Sequence, residues 1–195
     1  PRIKAVATVP MYDMSRSISR SYMDSYTKEQ REQIKVFLAE QRYRDAKSGT
    51  YKKGPHEIGF DAEGNMMTEA GGLPTIPEEI VPTLGPVVEA FYNYYVKRAF
   101  HPNSINSTGA WTQTTPVSFF SFKLMENVAE IAPRPIMLVA GADAHSRYYA
   151  EDAYAAARDP KELVIVPDAD HVDLYDDKKK IPFEKLSGFF RDNPR

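Results

Sequence analysis

The sequence predicts an α/β protein with a mostly parallel sheet. Two near-continuous apolar runs, residues 3–11 and 135–140, read as strands buried on both faces, and a third run follows at Lys161–Val166. Strands covered on both sides lose polar alternation, as these do. Between the last two lies an Ala-rich helical stretch, residues 146–158. Strand, helix and strand within ~30 residues make one parallel crossover unit.

The first strand takes Ile3, Val6 and Val9, with small Ala5 and Ala7 between them. A helix is expected from about Thr27, which has capping-box spacing to Gln30. Ile34, Phe37 and Leu38 form its inner stripe and Gly49 its stop. Residues 49–77 are broken by glycine and proline, and Asp61-Ala62-Glu63-Gly64-Asn65 is a turn between two short strands. Residues 86–99 and 118–130 read as helices, the first rich in aromatics (Phe91, Tyr92, Tyr94, Tyr95). Residues 101–116 read as a loop around Trp111. Pro167-Asp168-Ala169-Asp170-His171 is a tight polar turn. Residues 182–190 form a closing helix with Pro182 at its first position and Phe183, Leu186, Phe189 and Phe190 inward. Three regions result: residues 1–14, a core strand; residues 15–130, a helical insertion and return helix; residues 131–195, the C-terminal core.

Composition excludes several functions. The net charge is −2, with 42% hydrophobic and 27% charged residues. No basic excess exists to track a phosphate backbone, so nucleic acid is not an expected partner. Lys178-Lys179-Lys180 reads as a solvated turn. No apolar run approaches the ~18 residues of a membrane span. With no cysteine, thiolate catalysis and Cys-ligated zinc are excluded, which fits a cytoplasmic setting.

Ligands of open parallel sheets bind beyond the carboxyl ends of the strands. Three such ends can be read here: Met11-Tyr12-Asp13, Gly141-Ala142-Asp143-Ala144-His145-Ser146, and Asp168-Ala169-Asp170-His171. An acid after one strand and a histidine after the last match the final two members of a Ser…Asp…His order. In that reading His171 takes the nucleophile's proton, and a carboxylate holds its other nitrogen. Asp143 is the first candidate for the acid, with Glu151 and Asp13 as alternatives. Asp170 and Asp173 flank the histidine too closely in sequence and are expected to be solvated. Tyr12, leaving a strand at the same end, is a candidate substrate contact, as is Trp111. A metal shared by His145 and His171 would need further ligands that the sequence does not offer at recognisable spacing.

Ile131-Ala132-Pro133-Arg134-Pro135-Ile136-Met137-Leu138-Val139-Ala140-Gly141, then Ala144-His145-Ser146-Arg147-Tyr148, then Lys161-Glu162-Leu163 through His171-Val172-Asp173-Leu174-Tyr175-Asp176 resemble the C-terminal half of α/β-hydrolases. The branch is the dienelactone-hydrolase-like, YcjY-type one. Arg2-Ile3-Lys4-Ala5-Val6 through Met11-Tyr12-Asp13-Met14 resembles the strand after the nucleophile elbow. The resemblance implies a partial α/β-hydrolase fold carrying a helical cap. It also implies serine-type hydrolysis of carboxylic ester, lactone or thioester bonds, with neither metal nor organic cofactor.

No G-x-S-x-G occurs in the sequence; Ser107, Ser146 and Ser187 lack the flanking glycines of an elbow. The nucleophile and oxyanion hole are therefore expected upstream of Pro1, in an N-terminal half that acts as partner. Alone, the chain is expected to be inactive and to aggregate or form a homodimer. Two rival readings share the scaffold: an acyltransferase, and a non-catalytic hydrolase-like binding protein.

Overall fold

The structure, a computed structural model, describes residues 2–69, 71–104 and 111–193; Ser107 lies outside them. The chain divides into two compact units. One comprises the segments before Met14 and after Leu124, the other Met14–Leu124. No helix among the described residues is long and apolar enough to cross a membrane.

The first unit is built on a three-stranded parallel sheet in which Ile136–Gly141 is central. Val6–Thr8 pairs along one side of it, Val6 opposite Ile136 and Thr8 opposite Leu138. Lys161–Val166 pairs along the other, from Ile136 opposite Lys161 to Gly141 opposite Val166. All six residues of the central strand are buried, as its unbroken apolar run predicts. Its side chains alternate between two cores. Ile136, Leu138 and Ala140 pack with Met11, Val128 and the Tyr149, Ala150 and Ala153 stripe of helix Arg147–Ala156. Met137 and Val139 pack with Val164, Val166, Ala169 and Leu174, backed by Leu186 and Phe189 of helix Phe183–Asp192.

The first strand is shorter than expected. Val6–Thr8 is ladder, Ile3 is exposed, and Pro10 has no N–H with which to extend the pairing.

The second unit is mainly helical. Helix Lys28–Ser48 starts at the expected capping box: Gln30 N–H donates to Thr27 Oγ1 at 3.1 Å, and Thr27 N–H to Gln30 Oε1 at 2.9 Å. It stops at Gly49, whose φ of 69° is the left-handed conformation a glycine reaches without strain. Ile34 and Leu38 form a core with Ile58, against Phe37, Phe60, Met66, Val117 and Phe120. Gly59–Phe60 and Met66–Met67 form the expected hairpin around the Asp61 turn. Within the segment read as loop, Trp111–Thr112 pairs with Lys53–Gly54.

The structure departs from expectation at three places in this unit and its return segment. Helix Met14–Arg20 was not foreseen, because its serines, weak helix formers, mask the pattern. The helix expected at residues 118–130 is two pieces, Pro116–Ser121 and a 3-10 turn Val128–Ile131, separated by extended backbone at Phe122. The helix expected at 86–99 is α only over Pro86–Tyr92 and continues as a wider π turn over Asn93–Arg98.

Candidate active site

The central and outer strands end side by side, and the turn after the outer strand folds across both. Ala142 N–H donates to Val166 O at 2.8 Å, and Asp143 N–H to Ala169 O at 3.0 Å. Gly141 permits this closeness: a Cβ there would stand 2.1 Å from Ala169 O. Asp168 takes φ 51° in the turn, a conformation Asp tolerates better than most residues. Asp170 and Asp173 then clasp each other. Asp173 N–H donates to Asp170 Oδ1 at 2.8 Å, and Asp170 N–H to Asp173 Oδ2 at 3.0 Å. Lys180 reaches Asp173 at 2.6 Å. Asp170, Asp173 and Lys180 are therefore fasteners of the turn rather than freely solvated charges.

This clasp delivers His171, 3% exposed, to the carboxyl end of the sheet. Nδ1 lies 2.5 Å from Ser146 Oγ, and Nε2 lies 2.8 Å from the Tyr175 hydroxyl, one helical turn further on. The Tyr12 ring stands edge-on to the imidazole at 5.5 Å between centroids, and His145 is 5.4 Å away. Tyr12 also packs on Tyr149 at 5.0 Å and faces His145 at 5.9 Å. Burial, reinforced by neighbouring His145, pushes the His171 imidazole down to about 4. His145 is lowered by burial as well, opposed by the Asp170 carboxylate. The His171 ring is thus uncharged at neutral pH and has a lone pair with which to accept a proton.

Of the residues singled out from sequence, the structure brings His171 and Tyr12 together. Asp143 follows the central strand as expected, but its side chain is exposed. Among the described residues it makes no side-chain hydrogen bond or ion pair. Glu151 is held by Arg147 at 2.8 Å on the helix surface. Asp13 is buried at the end of the first segment. Trp111 belongs to the other unit, 41% exposed and 5.8 Å from the His56 ring. Ser146 and Tyr175 are the contacts that sequence reasoning missed. For Tyr175 the i, i+4 spacing from His171 was a usable signal; for Ser146 only its adjacency to His145 was available.

The chain is 43% identical over 192 residues to PA2218, an uncharacterized protein of Pseudomonas aeruginosa, covering 97% of this chain and 46% of that protein. The crystal structure of PA2218 superposes with a TM-score of 0.78 at 42% identity, over 99% of this chain and 54% of that one. The chain thus spans about half the length of this relative. No protein-family profile matches it.

Two further solved structures share the fold at low identity. The α/β hydrolase GrgF from Penicillium sp. sh18 gives a TM-score of 0.60 at 16% identity, over 98% of this chain and 56% of that one. DcsB, solved in complex with its substrate analogue, gives 0.64 at 15% identity, over 99% and 58%. What they share with this chain is the fold, a parallel sheet with flanking helices.

Proposed function

We propose that this chain supplies the general base, His171, of a serine-type hydrolase acting on carboxylic ester, lactone or thioester bonds. The nucleophilic serine and oxyanion donors are assigned to sequence outside these 195 residues, since no glycine-flanked elbow serine lies within them. The observation that carries the reading is the buried, neutral imidazole at the carboxyl end of a parallel sheet on a hydrolase scaffold. The share of PA2218 left uncovered by this chain is consistent with it.

In the proposed reaction the serine hydroxyl passes its proton to His171 Nε2 as its oxygen attacks the carbonyl carbon. Collapse of the tetrahedral adduct breaks the bond to the leaving alcohol or thiol, which takes that proton. Water then gives a proton to the same nitrogen and attacks the acyl-serine, releasing the acid and restoring the serine. For the incoming serine to reach Nε2, the Tyr175 hydroxyl must yield its place; at 39% exposure, Tyr175 has solvent into which to turn. Tyr12 is assigned to the wall of the acyl pocket. Asp143 is assigned the negative charge that favours the imidazolium, acting without direct contact.

In the full-length polypeptide, His171→Ala lowers turnover of p-nitrophenyl esters by about 10²–10⁴-fold, the range for loss of a positioned general base. Unchanged turnover would remove the assignment and leave a non-catalytic hydrolase-like shell. Asp143→Asn lowers turnover less, and an unaltered rate would take Asp143 out of the site.

A further inference from the structure

We infer that the Ser146 hydroxyl is the group that positions the histidine, by accepting a hydrogen bond from His171 Nδ1–H. The inference rests on the proposed role of His171 and adds a residue to it.

Ser146 occupies the N-cap position of helix Arg147–Ala156. A serine there ordinarily turns its oxygen onto a backbone N–H of the first helical turn. This one makes no such bond. Its hydroxyl is instead directed at the imidazole, 2.5 Å from Nδ1, with the residue 0% exposed. A capping hydrogen bond has been forgone for a contact with the histidine.

The two ring nitrogens differ in access. Nε2 faces Tyr175, which is part exposed, whereas Nδ1 faces the sealed Ser146. Proton exchange with the attacking hydroxyl therefore belongs to Nε2, which must hold a lone pair to act as a base. Nδ1 then carries the proton. A hydroxyl accepts as well as donates, so Ser146 Oγ can receive that proton in both the neutral and the protonated ring. The other rings around the imidazole are those of Tyr12 and His145, at 5.5 and 5.4 Å between centroids, and the Asp170 carboxylate acts on His145.

The test uses the full-length polypeptide with p-nitrophenyl acetate. Ser146→Ala lowers kcat about ten- to a hundredfold, the cost of stranding a buried donor, while KM stays within about twofold. Ser146→Thr, which keeps the hydroxyl, restores most of the rate. In unmutated protein labelled with ¹⁵N-histidine, the His171 resonances, identified by their loss in His171→Gln, report a proton on Nδ1 and a lone pair on Nε2. This readout needs neither turnover nor a folded Ser146 variant.

Three results overturn the inference. One is the opposite tautomer. The second is Ser146→Ala at the unmutated rate while His171→Ala is inactive, which leaves the general-base reading standing. The third is a fluorophosphonate adduct mapped to Ser146, which would make it the nucleophile. Activity in His171→Ala instead sinks the reading on which the inference rests.

Discussion

At pH 7 the His171 imidazole is uncharged, and acid alone turns it into a liability. An unfolded histidine titrates near ~6.5, whereas burial holds His171 at about 4 in the native protein. Between those values the unfolded chain binds a proton that the native state refuses, so stability is intact above the higher value and falls as pH drops towards the lower. The slope from this one group is about 1.4 kcal/mol per pH unit. Urea midpoints measured from pH 7 to 4.5 should fall accordingly, and His171→Gln should flatten the fall; an unchanged slope in that variant would place the acid sensitivity elsewhere. His171 could be read from sequence because a polar turn after an apolar strand puts its residue at the ligand end of a parallel sheet. Ser146 could not, because nothing in a linear sequence says whether an N-cap hydroxyl turns to its own helix or away from it.

Individual elements were readable where one local signal dominated. The helix Lys28–Ser48 has a reciprocal cap at its start and a glycine at its stop, and both act as written. The first piece between Pro116 and Ile131 has a proline at its start but no glycine at its stop, and the chain leaves the helix at Phe122 without a cap residue to announce it. Gly141 matters most among the element boundaries. Its missing Cβ lets the Ala169 carbonyl cross the strand end, and the obstruction to any side chain there is backbone, which cannot swing aside. Gly141→Ala should cost about 1–3 kcal/mol, as overpacking does. Because the clash falls on the turn that carries His171, the proposed ester turnover should drop along with the urea midpoint. A variant of unaltered stability and rate would show that the turn has room to move.

For the molecule as a whole, the sheet order leaves the outer sides of Val6–Thr8 and Lys161–Val166 without a strand neighbour among the described residues. Thr8 Oγ1, on the first of these strands, is buried with no hydrogen-bond partner. Bare strand edges recruit other strands. Residues 1–195 expressed alone should therefore associate, as light scattering after size exclusion would register. A monodisperse monomer with one cooperative melt would show that these edges need nothing further. The α/β class was evident from three apolar runs and a helix, since burial on both faces leaves so plain a mark. The nucleophile of the proposed reaction was not, because no glycine-flanked elbow serine is among these residues.

The two strand pairings also differ in the length of chain each must close. Ile136–Gly141 meets Lys161–Val166 across a single helix, whereas Val6 meets Ile136 only after about 130 intervening residues. Nearby partners find each other sooner, since less chain entropy is surrendered before the contact repays it. The C-terminal pair is thus the early seed of assembly, and the first strand arrives late. During that delay the apolar flank of the central strand stands open to any competing chain.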